Sequence, residues 1–394
     1  MYVRHLSLAG FRNYRRLELE LPAGTLLFFG ENAQGKTNLL EAVCLLSTMR
    51  SPRASTDSEL ICWDVANGGP PVTRLVADAE RRSGPVRVEM AVQGQPDGAI
   101  LSPTGQYRAG KRLRVNGAAK RASEAIGQIN AVFFTPQDLD LVGGPPSLRR
   151  RYIDVTLSQV DRRYLVSLQK YGKVLLQRNA LLRRIRDGAA EGDQLAFWDA
   201  QMAEAGAYIV GARARTLARV AGLAREAQAS LSGEREELAL VYEPHWARDF
   251  DAERAAGAGE AELATAYVEA LLQGRRREIA AGASLWGPHR DDLLFLLDGR
   301  SAAAFASRAQ RRTAALALRV AEARFLLAAT GDYPVLLLDD VLSEMDEGRR
   351  RGVLDAIAGF DQVWITSAER EEEGQASVPG ARIYRVKQGQ VTLE

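Results

Sequence analysis

The chain has 394 residues, 46% of them hydrophobic and 26% charged, with a formal net charge of +2. This is an ordinary globular composition, long enough for two or three domains around a buried core, and its net charge is too small to argue by itself for a nucleic-acid partner. The start, Met1-Tyr2-Val3-Arg4-His5, has no apolar signal-like stretch, no segment approaches the roughly 18 apolar residues of a membrane span, and Cys44 and Cys62 lack metal-ligand spacing, so a soluble protein of a reducing cytoplasm is expected.

Up to about residue 140 the pattern reads as strands with few helices. Leu17-Glu18-Leu19-Glu20-Leu21 and Val86-Arg87-Val88-Glu89-Met90 alternate with period two, and turn residues at Asn67 to Pro71 and Gly94 to Gly105 interrupt regular structure. Thr25 to Phe29 reads as a short apolar strand and Lys36 to Leu46 as a helix. Between them, Gly30-Glu31-Asn32-Ala33-Gln34-Gly35-Lys36-Thr37 satisfies the phosphate-binding pattern GxxxxGK[ST] in the strand–loop–helix setting that it requires. Backbone N–H groups and the helix N-terminus would face the phosphates of ATP, Lys36 would place a cation near the β and γ positions, and Thr37 would offer its hydroxyl to Mg²⁺.

From Pro146 to about Ala283 the period changes. Ile153, Leu157, Val160, Tyr164, Leu168, Tyr171 and Leu175 read as one amphipathic helix, Leu195, Trp198, Met202, Ala205 and Ile209 as a second, and Leu263, Tyr267 and Leu271 open a third. Strand signals return at Leu293 to Leu297, with Asp298-Gly299 as a hairpin turn, and at Val335 to Leu338 and Val363 to Thr366. The expected architecture is therefore an α/β head made of residues 1–145 and 285–394, with a helical lobe, 146–284, inserted in it.

Val335-Leu336-Leu337-Leu338-Asp339-Asp340 has the form of a buried strand delivering two acids beside the phosphate loop. Asp339 is expected to organise Mg²⁺ and Asp340 to position the attacking water, which requires a carboxylate within hydrogen-bond reach. Basic runs at Arg149-Arg150-Arg151, Arg275-Arg276-Arg277, Arg311-Arg312 and Arg349-Arg350-Arg351 suit either phosphate contacts or solvated helix faces, and the first is the leading candidate for DNA because it lies at the expected lobe junction.

The two nucleotide motifs lie about 300 residues apart with a helical insertion between them, which resembles the ABC class of DNA repair ATPases. Phe11-Arg12-Asn13-Tyr14, Gly144-Pro145-Pro146 leading to Arg149-Arg150-Arg151-Tyr152-Ile153-Asp154, Gly287-Pro288-His289-Arg290-Asp291-Asp292, and Asp339-Asp340-Val341-Leu342-Ser343-Glu344-Met345-Asp346 resemble the RecF family from end to end, Met345 standing where leucine is usual. The resemblance implies an ABC-type P-loop ATPase head. It further implies that Gln137, in Phe134-Thr135-Pro136-Gln137-Asp138, occupies the Q-loop and senses magnesium or water, although a polar residue in a Pro-initiated turn is the other reading. Ser307, in Phe305-Ala306-Ser307-Arg308-Ala309-Gln310, takes the place of the ABC signature serine that contacts the γ-phosphate on the opposite subunit, with Ala309 where the family has glycine. An ordinary helix N-cap is the alternative for Ser307.

Thr366-Ser367 stands where transporter-type ABC ATPases carry a histidine, so hydrolysis is expected to be slow. His289 is an acid–base candidate on chemistry alone, or else part of a string that shapes the lobe junction. The resemblance implies an ATP-dependent homodimer closing on duplex DNA and single-strand/duplex junctions, acting with RecR, and with RecO and RecA in the pathway, in recombinational repair. An SMC-like structural tether is the rival, but a long coiled-coil arm needs far more than the roughly 140 residues between the motifs that read as helical. A nuclease-coupled ATPase lacks room after Thr366, and transporter heads place the two motifs closer together.

Overall fold

The computed structural model describes residues 1–62, 72–94, 109–246, 251–343, 345, 347–368, 378 and 380–394. The expected turns at Asn67 to Pro71 and most of Gly94 to Gly105, and Glu344 and Asp346, lie outside the described residues. The contacts divide the chain into two compact units, one of Met1–Asp138, Ser230–Gly233 and Glu322–Glu394, the other of Leu139–Ala229 and Glu234–Ala321.

Among the described residues the first unit holds two six-stranded sheets. One is mainly parallel, in the order Gln390–Leu393, Arg382–Lys387, Gly24–Phe29, Gln362–Ser367, Val335–Leu338, Ala131–Phe134, with only the first pair antiparallel. Leu338 pairs with both Phe134 and Ile365, and Ser367 pairs with Phe29, so these strands all end along one edge. In open α/β sheets that carboxyl-terminal edge is where ligands bind. Both sides of the strands are covered, which is why Leu336, Leu337 and Leu338 form an unbroken apolar run rather than an alternating one.

The other sheet is antiparallel, ordered Tyr14–Glu20, Tyr2–Phe11, Val72–Glu80, Val86–Gly94, Ala109–Val115, Ala118–Lys120. Its alternation is the one legible in Leu17 to Leu21 and Val86 to Met90. The helix Lys36–Thr48 contacts strands of both sheets and is buried at Leu39, Leu40, Val43, Leu45 and Leu46. Each such side chain contributes about 1.5–3 kcal/mol of apolar burial, so the helix that begins at the phosphate loop is anchored along its length.

The second unit is mostly helical, with Pro146–Ser158, Arg162–Arg186, Leu195–Ser232 up to Ala229, and Glu260–Ala281. The single helix expected through Ile153 to Leu175 is in fact two. Asp161 caps the second by accepting from the Tyr164 N–H at 2.8 Å, and such side-chain capping marks a helix start that apolar spacing alone does not report. A strand, Leu238–Glu243, also interrupts the expected helical stretch and pairs antiparallel with Asp292–Leu297. The hairpin at Asp298-Gly299 forms as expected, with φ of 49° and 76° at its two central residues. Because Asp292–Leu297 pairs with that strand, residues 285–321 group by contacts with the helices rather than with the head segment 285–394 expected from the sequence. Among the described residues no helix is long and apolar enough to cross a membrane.

Candidate active site

The loop between the strand Gly24–Phe29 and the helix Lys36–Thr48 is held open by its glycines. At Gly30, φ is 153° and a Cβ would lie 2.2 Å from the Val386 carbonyl oxygen; at Gly35, φ is 118° and a Cβ would meet the Asn13 side-chain amide at 2.6 Å. Only glycine fits such backbone without strain. Glu31, Asn32 and Ala33 are exposed at the loop's crown, and Ala33 also takes a positive φ of 65°.

Residues far away in sequence hold this loop in shape. Asn13 donates from Nδ2 to the Gln34 carbonyl at 2.8 Å, the Tyr14 hydroxyl donates to the Gly35 carbonyl at 3.0 Å, and Asn38 Nδ2 donates to Asn13 Oδ1 at 2.9 Å. The backbone N–H of Gln388 donates to Gln34 Oε1 at 2.7 Å, and that of Gly389 to the Gln34 carbonyl at 3.1 Å. Arg12 forks onto the fully buried Glu41 of the adjoining helix, Nη2 to Oε1 at 2.7 Å and Nε to Oε2 at 3.1 Å. Phe11-Arg12-Asn13-Tyr14 is thus a brace for the phosphate loop, a role that its sequence did not disclose.

Lys36 is buried, and its ammonium donates to the carbonyls of Gly30, and of Glu31 at 2.8 Å. Burial lowers its pKa, while Asp340 and Asp339 act in the opposite direction. Thr37 Oγ1 lies 2.8 Å from Asp339 Oδ1 and 2.9 Å from Oδ2, which joins the two motifs across 302 residues of sequence. Burial raises the Asp339 pKa, opposed by its bonds with Thr37 and Thr366. Asp340 follows in the left-handed region with φ 51°, a conformation that aspartate tolerates better than most residues, and its N–H donates to Thr366 Oγ1 at 2.9 Å.

Thr366 comes from the strand Gln362–Ser367, which lies between the strand feeding the phosphate loop and the strand feeding the acids. Its hydroxyl donates to Asp339 Oδ1 at 2.9 Å, so one side chain touches both acids' positions. In the sequence Thr366 stands out only as the absence of a histidine; its buried position between two motif strands depends on the sheet order. A hydroxyl and a carboxylate side by side are hard oxygen donors that fit Mg²⁺. Mg²⁺ commonly takes only one or two protein oxygens and keeps several waters, so this pair is the kind of partial ligation that it accepts.

The structure brings Gly30 to Thr37, Asp339 and Asp340 to one sheet edge. Gln137 lies in the short helical turn Pro136–Asp138 after the edge strand Ala131–Phe134, with its side chain exposed. That turn is pinned by Asp138, whose carboxylate accepts from the Thr135 N–H at 2.8 Å. Ser307 belongs to the other unit and is exposed. It forms a reciprocal cap at the start of the helix Arg308–Thr330, its Oγ accepting from the Gln310 N–H at 3.2 Å and its own N–H donating to Gln310 Oε1 at 2.9 Å.

The Arg149 expectation changes, whereas His289 takes the packing role expected of its string rather than acid–base chemistry. Arg149 is buried rather than facing a ligand: it forks onto Asp292 at 2.7 and 2.9 Å and donates to the Gly144 carbonyl at 2.6 Å. Arg150 donates to the Asp291 carbonyl at 2.7 Å, so the leading candidate for DNA contact is largely an internal brace. His289 lies with Nδ1 2.7 Å from the Tyr171 hydroxyl and Nε2 3.1 Å from the Ser284 carbonyl, and burial lowers its pKa to about 4. Beside it Gly287, at φ 129°, leaves no room for a Cβ against the Tyr267 hydroxyl, and Asp291 is enclosed by Arg213, Tyr242 and the His245 N–H. The Gly-Pro-His-Arg-Asp-Asp string is packing within its own unit.

Residues 5–127 match a family model described as an AAA domain. Over 398 aligned residues the chain is 44% identical to the DNA replication and repair protein RecF of Chloroflexus aurantiacus, covering 99% of each chain. A solved structure of the recombination mediator protein RecF with ATP in the RecFOR pathway superposes with a TM-score of 0.84 at 30% identity, covering 100% of this chain and 97% of that one. An Smc head domain from Pyrococcus furiosus superposes at 0.54 with 16% identity, a likeness of fold.

Proposed function

Since this chain belongs to the RecF family, we propose that it is a DNA replication and repair ATPase that binds ATP on the Gly30–Thr37 loop and uses it as a switch for a dimeric clamp on DNA. The observation that carries this reading is the meeting of Thr37 with Asp339 at 2.8 Å beside the buried Lys36. Loop N–H groups bind the phosphates and Lys36 exchanges the Gly30 and Glu31 carbonyls for phosphate oxygens, gaining a charge-assisted bond in place of neutral ones. Thr37 and Asp339 would hold Mg²⁺, which neutralises charge developing on the phosphates. Asp340 orients and polarises the attacking water, and Gln137 reaches the same site on closure.

In this reading the functional head comprises residues 1–145 and 285–394 and carries the lobe 146–284. Ser307 of a second copy contacts the γ-phosphate, so that ATP completes a homodimer around duplex DNA or a single-strand/duplex junction. Hydrolysis is slow and stimulated by DNA, and it reopens the clamp. The pathway role is recombinational repair in the cytoplasm, with RecR as direct partner and RecO and RecA acting at the same gaps.

The test is retention of duplex DNA with ATP, with ADP and without nucleotide, for the wild type and Lys36→Ala. Removing the ammonium should weaken ATP binding about 10- to 100-fold, the equivalent of one lost charge-assisted bond, and should abolish ATP-dependent retention. An alanine variant that binds ATP normally would remove the loop from the account.

A further inference from the structure

The outer face of the antiparallel sheet carries a row of arginines that no nucleotide motif explains. In register across five neighbouring strands stand Arg16, Ala9, Arg74, Ala91 and Arg112. Their chain neighbours Leu8, Leu17, Leu75, Met90 and Leu113 are buried, so the five point to the opposite, outward face. Arg16, Arg74 and Arg112 are exposed. Each arginine is separated from the next by an alanine, so among the described residues of this row only small side chains stand between the cationic ones.

Acids near the row are already engaged. Glu18 accepts from the Ser7 hydroxyl at 3.0 Å and lies 3.0 Å from His5 Nε2, and Glu89 pairs with Arg74 at 2.7 Å and with Arg87 at 3.2 Å. Arg16 and Arg112 make no ion pair among the described residues, and Arg74 pairs there with Glu89. Four strand spacings of about 4.8 Å place the outer arginines roughly 19 Å apart, the axial length of about six base pairs of duplex.

We propose that this row is the seat of a duplex DNA backbone, with Arg16, Arg74 and Arg112 each neutralising phosphate charge. The inference rests on the DNA-binding reading above and gives it a surface. The row holds no aromatic side chain, whereas single strands are gripped by stacking bases on aromatic rings. A phosphate-only surface of this kind selects duplex by charge and reads no base sequence.

The experiment is the salt dependence of binding to a fluorescent duplex, measured with ATP present, for wild type, the three single glutamine variants and the triple variant Arg16→Gln/Arg74→Gln/Arg112→Gln. Each lost contact should reduce the slope of log affinity against log salt by about 0.9, so the triple variant should lose about 2–3. A fluorescent ATP analogue should bind all variants equally. Arg87→Gln, on the same face but held by Asp78 and Glu89, should keep the wild-type slope. A triple variant with an unchanged slope and normal nucleotide binding overturns the row while leaving DNA binding in place; an equal loss in Arg87→Gln overturns it as well. Tighter binding of single strands than duplex overturns the choice of occupant, and a wild type that binds no DNA in any nucleotide state overturns both the row and the reading beneath it.

Discussion

Thr366 donates its hydroxyl proton to Asp339 Oδ1 at 2.9 Å while accepting the backbone N–H of Asp340 at 2.9 Å, so a single side chain sets the positions of the two acids. Thr366→Val keeps the shape and removes both bonds. Two bonds of about 1 kcal/mol each predict a fall in kcat of roughly 10- to 50-fold, with a change in ATP affinity smaller than the change in kcat. Thr366→Ser should restore most of the rate. Steady-state ATPase assays across Mg²⁺ concentrations check this; equal losses in the valine and serine variants would mean that packing, not the hydroxyl, matters.

The brace beneath the phosphate loop gives a second expectation. Tyr14→Phe removes the hydroxyl that donates to the Gly35 carbonyl at 3.0 Å. One neutral hydrogen bond, about 0.5–1.5 kcal/mol, predicts ATP binding weakened about 2- to 10-fold, read by titration with a fluorescent nucleotide. Unchanged affinity would mean that the loop keeps its form without the brace.

Arg149 and the outward arginines should behave in opposite ways. Arg149→Gln leaves Asp292 facing its enclosed surroundings without the forked partner, and breaking such a pair costs about 2–4 kcal/mol, somewhat below a fully buried pair because Asp292 retains some exposure. Urea unfolding should shift to lower midpoint, while the salt slope for DNA stays that of wild type. A stable variant with a reduced slope would return this run to the DNA surface.

His289 supplies a pH dependence. Its pKa falls from 6.5 to about 4 on folding, through burial first and then through Arg290, Arg150 and Arg178, while the Ser284 carbonyl pulls the other way; the Tyr171 hydroxyl faces the ring's other nitrogen. A group held neutral in the fold contributes its full stability above its unfolded pKa and loses it as pH drops. Stability should therefore decline between about pH 6.5 and pH 4 by about 3 kcal/mol from this residue and level off below. Denaturant unfolding from pH 7.5 to pH 4 should show a shallower decline in His289→Gln than in wild type; parallel curves would contradict the shift.

Much of this was legible in the sequence because the phosphate loop and the acid pair are contiguous strings whose chemistry depends on local order. Gly30 to Thr37 sits between strand and helix as read, and the apolar run Val335 to Leu338 is buried as its composition requires. What depended on strand order was not legible. Thr366 reaches Asp339 only because its strand lies between the other two, and Arg16, Arg74 and Arg112 align only through pairing register. The Arg149 run misled for a related reason: three consecutive arginines on a helix point in different directions, so the run does not say which of them turns inward. Leu238–Glu243 was missed because its partner strand lies some 50 residues onward.

Joining of two copies by ATP through Ser307, with hydrolysis aided by Asp340, is tested most directly by sedimentation of wild type, Asp340→Asn and Ser307→Arg with ATP. Asp340→Asn keeps the carboxylate's shape without its charge and should slow hydrolysis about 100-fold or more, accumulating dimer at concentrations where wild type cycles between states. Ser307→Arg should bind ATP as a monomer, because a bulky cation stands where the partner's phosphate must dock. A monomeric Asp340→Asn, or a Ser307→Arg that dimerises normally, would contradict the account.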